Sequence, residues 1–151
     1  ASQREAEQQQ YIQKQQSAGV SNWTLAGPVQ VLNNSGVPGK RQSNIYSIDQ
    51  CASDSSVMYC GTEPGEVYKS SDGGNTWMNV SMNENFGSGV TAVEVGPNGA
   101  DVVFAGGNAG VFRSQDGAVS WANVLPQTNF NVNEILVNPA NSQLVLAATN
   151  K

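Results

Sequence analysis

Twelve acidic and seven basic side chains carry the charge of this 151-residue sequence, which has no histidine and two cysteines. Without histidine no Ser-His-Asp or Cys-His set can be assembled, and the usual four-ligand zinc sets are out of reach. Carboxylate chemistry remains. Two carboxylates about 5–10 Å apart in a cleft hydrolyse glycosidic bonds, and the candidates are Asp49, Asp54, Glu63, Glu66, Glu84, Asp101 and Glu134. Asp54 and Asp101 fall in equivalent turns, and Glu63 and Glu66 in a Pro-Gly loop, so solvated turn roles suit them better. Asp49 and Glu63 stand near strand ends, from which a central channel can be reached. Cys51 and Cys60 flank a turn around residues 52–55. That register places Cys51 near Ser56 and Cys60 near Ser47, not opposite one another, which argues against a mutual disulfide.

The elements that must position these groups are written in a repeat. Ser70-Ser71-Asp72-Gly73-Gly74-Asn75-Thr76-Trp77 returns as Ser114-Gln115-Asp116-Gly117-Ala118-Val119-Ser120-Trp121, an offset of 44. The likeness extends upstream: Glu66–Ser70 matches Gly110–Ser114, and Val57–Gly61 matches Val102–Gly106. A third, incomplete copy pairs Val95–Asn98 with Val137–Ala140 and Val102–Ala105 with Leu144–Ala147. Each unit holds four short β-branched or aromatic runs separated by Gly, Pro, Asn and Asp, the signals of strands and turns. The runs fall at about 45–49, 57–61, 67–70 and 77–80, then at about 90–95, 102–105, 111–114 and 121–124, and finally at about 133–137 and 144–148. Four strands per 40–50 residues is the arithmetic of a β-propeller blade.

The expectation is an all-β fold of four-stranded antiparallel blades: two complete, two partial, preceded by a short N-terminal helix. Asn22-Trp23-Thr24-Leu25 resembles the fourth strands that begin at Trp77 and Trp121. Residues 1–19 are Gln-rich, with helix formers over roughly 3–16, and read as a polar docking helix or linker, while 20–151 form the partial propeller. Residues 26–43, rich in Gly, Pro and Asn, read as a long irregular connection. Two full blades cannot close a ring of the usual four to eight. The sequence is therefore expected to be the N-terminal part of a longer propeller or to be completed by other chains.

Composition agrees with this reading. Charged residues make up 13% of the chain, about half the usual share, and 16 glycines accompany abundant Asn, Gln and Ser. A net charge of −5 offers no electrostatic footprint for a phosphate backbone, so nucleic acid is excluded as a partner class. No apolar run approaches the roughly 20 residues of a transmembrane helix.

The octet Ser-x-Asp-x-Gly-x-Thr-Trp resembles the Asp-box, or bacterial neuraminidase repeat. Ser70, Asp72, Gly74, Thr76 and Trp77 match every defined position, whereas Ser114, Asp116, Ser120 and Trp121 match a second copy that carries Ala118 in place of glycine. The resemblance implies a structural role for these residues on the blade periphery, with Asp72 and Asp116 accepting turn N–H groups. One carboxylate per turn falls short of the six to eight oxygens of a calcium site, and no cofactor is implied. Asp-box propellers include sialidases, xyloglucanase-like hydrolases and sortilin-type receptors. The sialidase activity needs an arginine cluster, and this chain has Arg4, Arg41 and Arg113, scattered along it. The style of repeat also resembles secreted or periplasmic propeller proteins of Bacteroidetes-type bacteria tied to type IX secretion or surface motility. The resemblance thus implies an extracytoplasmic, non-catalytic scaffold binding protein or glycan. The competing expectation is part of a carbohydrate-active propeller whose catalytic residues lie outside this chain.

Overall fold

The computed structural model describes residues 31–32, 38–39, 43–126 and 130–150, and among them every regular element is a β-strand. The helix expected over 3–16, the strand expected at Asn22–Leu25, and Arg4 and Arg41 lie outside the described residues.

Strands β3 (Ile45–Gln50), β4 (Met58–Thr62), β5 (Val67–Ser70) and β6 (Trp77–Asn79) form a first antiparallel meander. A second consists of β7 (Val90–Val95), β8 (Val103–Gly107), β9 (Gly110–Ser114) and β10 (Ala122–Pro126). β11 (Val132–Val137) and β12 (Val145–Thr149) pair as the inner half of a third blade. These are propeller-like blades, and most strand ends fall within a residue or two of the positions read from the repeat. β8 runs on through Gly106 and Gly107, glycines that read as turn signals in the sequence.

The stretch 26–43 is not wholly irregular. β1 (Val31–Leu32) pairs in parallel with β6, and β2 (Pro38–Gly39) pairs antiparallel with β1, widening the first sheet to six strands. Two-residue strands are too short for any periodicity to register in sequence.

The three inner hairpins close through one device. Cys51 N–H donates to Val57 O (2.9 Å), Gly96 N–H to Val102 O (2.7 Å) and Asn138 N–H to Leu144 O (2.9 Å). The loop thus spans 52–56, one residue more than expected, and the register moves by one: Cys60 stands opposite Ile48, not Ser47, and Cys51 meets Val57, not Ser56. A slip of one residue changes the face a side chain occupies. Both cysteines are free and buried. Cys51 packs between the first two blades, whereas Cys60 packs with Tyr68 and Trp77 on the other face, where burial pushes its thiol up to about 12.

Two cores hold the blades in series. Tyr59, Val67, Phe86, Val90, Val103 and Phe112 lead the first, between blades one and two. Phe86 sits 4.5 Å from the Phe112 ring and meets Trp121 edge-on at 5.2 Å. Ala92, Phe104, Val111, Val132, Ile135 and Val137 form the second, between blades two and three. Close approach requires glycine at one repeated position. A Cβ on Gly61 would lie 2.5 Å from Val90 O, and one on Gly106 would lie 2.6 Å from Val132 Cγ1.

Candidate functional site

Successive inner strands β3, β7 and β11 stand side by side and line a groove of about 360 Å³ with residues 46–49, 91–94 and 133–136. It contains three carboxylates, Asp49, Glu94 and Glu134, with the exposed apolar side chains of Tyr46, Ile48 and Leu136. Of the sequence candidates, Asp49 and Glu134 are brought together here.

Two of the three carboxylates are engaged by the next blade. Asp49 Oδ2 accepts the Val95 N–H at 2.7 Å, and its Oδ1 accepts the Gln50 N–H at 2.8 Å. Glu94 Oε1 accepts the Val137 N–H at 3.1 Å. Strands β3, β7 and β11 all carry a register shift after their first residue, and aligning them at that irregularity makes Asp49, Glu94 and Leu136 equivalent. An acidic side chain on each of the first two inner strands therefore ties down one backbone donor of the following strand. A hydroxyl makes the complementary tie at the other end: Ser47 Oγ donates to Val90 O at 3.3 Å, and Thr91 Oγ1 donates to Val132 O. Burial raises the Glu94 carboxyl, opposed by the Val137 N–H, while the charges of Asp49 and Glu134 raise it further.

Sequence reading passed over Glu94. The signal was available, because Val57–Gly61 repeats at an offset of 45, one more than the octet, and 45 residues beyond Asp49 is Glu94.

The two octets form closed turns outside this groove. Ser70 Oγ donates to Asp72 Oδ1 (2.8 Å) and accepts the Gly74 N–H (2.9 Å), while Asp72 accepts the Thr76 N–H (2.8 Å) and Thr76 Oγ1–H (2.6 Å). Ser114 Oγ likewise donates to Asp116 Oδ1 (2.8 Å) and accepts the Ala118 N–H (2.8 Å). Asp116 accepts the Ser120 N–H (2.9 Å) and Ser120 Oγ–H (2.5 Å). The hydroxyl and backbone donors hold both carboxyls below the usual range, Asp116 at about 2. Each turn is also anchored to its own blade: Gly73 N–H donates to Ser56 O and Gly117 N–H to Asp101 O, both at 2.9 Å.

The turns differ in two respects. Gly74 adopts φ 90° and Ala118 adopts φ 73°, a left-handed conformation that costs an alanine about 1–2 kcal/mol. Trp77 Nε1 donates to Gly74 O in its own turn (3.0 Å), whereas Trp121 Nε1 donates to Val80 O of the preceding blade (3.1 Å).

The remaining candidates are dispersed. Asp54 caps its turn through Ser56, Glu63 accepts the Asn44 side-chain N–H (2.6 Å), and Glu66 accepts the Tyr68 hydroxyl (2.8 Å). Glu84 lies in the segment between the first two blades. Among the described residues no cluster of three or more His, Cys, Asp or Glu is placed to hold a metal ion.

No protein-family model matches the sequence, and no curated protein matches it. Several solved structures resemble the fold, two GH74 enzymes among them. An ancestral GH74 enzyme matches with a TM-score of 0.56 and 20% identity over 69% of this chain. The GH74 enzyme of Niastella koreensis matches with a TM-score of 0.49 and 19% identity over 64%. The chain spans 16% and 17% of those two proteins. The likeness establishes a propeller-like, all-β fold.

Proposed function

We propose that this chain serves as a non-catalytic β-propeller scaffold, with octets that act as Asp-box staples and an inner groove whose acids join blades. The single observation that carries this is the engagement of Asp49 and Glu94 by the backbone donors of Val95 and Val137. A nucleophile or general acid must be free to meet substrate, and these carboxylates are held in inter-blade hydrogen bonds. Asp72 and Asp116 are likewise saturated by their own turns. The scaffold is assigned to an extracytoplasmic bacterial protein with protein partners, as in a type IX secretion or gliding assembly, an assignment that rests on the resemblance of the repeat.

The second reading, part of a carbohydrate-active propeller enzyme, draws on the GH74 likeness. An assay on this chain tests the non-catalytic reading, and the same assay on the intact source protein tests the second reading, whose catalytic residues lie outside this chain. The full chain incubated with xyloglucan should release no reducing ends above the buffer rate. Release that Glu134→Gln or Glu94→Gln abolishes would replace the scaffold reading with the enzymatic one.

A further inference from the structure

The three inner turns share one closure but differ in what caps them. In the first, Ser56 N–H donates to Asp54 Oδ1 at 3.0 Å, and in the third Gln143 N–H donates to Asn141 Oδ1 at 3.1 Å. Asp54 and Asn141 hold the same place in their turns, counted from Cys51 and Asn138, and the residue in that place after Gly96 is Gly99. The second turn therefore has no side-chain cap there, and an asparagine, Asn98, directly precedes the glycine.

An asparagine side chain is thermolabile, and most so before glycine, which has no Cβ to crowd the ring that forms when its nitrogen attacks the side-chain carbonyl. Asn98 is exposed, and among the described residues its side chain has no hydrogen-bond partner. Gly99 has φ 138°, and nothing stands within 4 Å of where its Cβ would be. Its N–H reaches Gly96 O only at 3.4 Å, beyond the ordinary range of such bonds. The comparable steps are closed. At Asp72–Gly73 and Asp116–Gly117 the carboxylates are taken up by Thr76 and Ser120, and both glycine N–H groups are fixed on carbonyls at 2.9 Å. Asn138 precedes a proline, which has no N–H to lose.

We propose that Asn98–Gly99 is a site of spontaneous covalent modification, deamidating in the folded protein and loosening the contact between the first and second blades as it does. The bond from Gly99 N to Asn98 Cγ forms, the Cγ–Nδ2 bond breaks, and ammonia leaves with the former Gly99 amide proton. A water then opens the succinimide at either carbonyl, leaving aspartate or isoaspartate at position 98. Both products add a negative charge to a turn that already holds Asp101. In isoaspartate the main chain also runs through the side-chain carbon, which lengthens a loop closed by the 2.7 Å bond from Gly96 N–H to Val102 O. That loop is a docking point: Ala100 O accepts the Tyr59 hydroxyl of the first blade at 3.0 Å, and Asp101 O accepts the Gly117 N–H at 2.9 Å.

The test incubates the full 151-residue chain in warm, mildly alkaline buffer and follows two signals. These are ammonia release and methylation by protein-isoaspartate methyltransferase with radiolabelled S-adenosylmethionine. Label should reach the peptide containing Asn98 ahead of every other, and Asn98→Gln should abolish it there. In the modified chain, native-state hydrogen exchange should find the Gly117 amide about tenfold less protected. A synthetic peptide of residues 94–103 reports the same step without the fold. Reaction of that peptide while Asn98 of the folded chain stays intact would overturn the proposal, because the turn would then be holding the side chain away from the Gly99 nitrogen. So would label that appears first at Asp72 or Asp116, or a modified chain whose Gly117 amide is as protected as before.

Discussion

The contact between the first and second blades and the contact between the second and third begin alike and end differently. At their inner ends both carry a carboxylate on a backbone N–H, a hydroxyl on a carbonyl and a glycine under a valine. At its outer end the first contact adds the Phe86–Phe112–Trp121 cluster, the Lys69 bond to Gly117 and the Trp121 bond to Val80. The second leaves Arg113 Nε unpaired and Val124 exposed. The inner strands carry the repeated ties between blades, while the outer hairpin of the second blade brings the Phe112 and Trp121 rings onto Phe86.

The sharpest way to break the comparison is to remove what only the first contact has. Phe86→Ala should cost about 3–5 kcal/mol, since a fully buried aromatic side chain leaves a cavity between two rings, and calorimetry should record the largest fall in Tm of any variant here. Next come the shared glycines. Gly61→Ala should cost about 2–3 kcal/mol and Gly106→Ala about 1 kcal/mol, because the new methyl meets the fixed Val90 carbonyl in the first case and only side chains in the second. Equal losses in chemical denaturation would show that the Val90 carbonyl adds nothing to the cost at Gly61.

Smaller effects belong to the turns. Ala118→Gly should stabilise by about 0.5–1 kcal/mol by relieving the left-handed alanine, partly offset by its lost packing. Asp72 and Asp116 titrate lower in the folded than in the unfolded chain. Their contribution is complete above the unfolded value near 4 and is lost as the pH falls toward about 2. Glu94, raised in the folded state, acts in the opposite sense: protonation favours the fold, and that contribution fades as the pH rises through its folded value. Denaturant midpoints measured between pH 5 and 2 should therefore fall, and Asp116→Asn should flatten the lower part of that slope.

The blades were legible because repetition multiplies a weak signal: one run such as Val-Tyr-Lys-Ser says little, but its recurrence as Val-Phe-Arg-Ser fixes both as strands. What escaped lay where the repeat changes its period. Glu94 sits 45 residues after Asp49, while the octets are 44 apart, so an alignment anchored on the octets misses the pair that the 45-residue offset of Val57–Gly61 reveals. The inner turn is one residue longer than its composition suggested, which placed the cysteines one position off. Gly61 falls within the run read at 57–61, but Gly106 looked like a turn residue, and it sits inside β8 because the next blade's valine occupies the space of a Cβ. Tertiary approach, not local preference, decides those positions.

The claim that groove carboxylates join blades is tested most directly by native-state hydrogen exchange on Asp49→Ala and Glu94→Ala. The account requires the Val95 amide to lose at least about tenfold protection in the first variant and the Val137 amide in the second, each with the other amide nearly unchanged. Unaltered protection at both amides would contradict it, and would leave those two carboxylates available for chemistry in the groove.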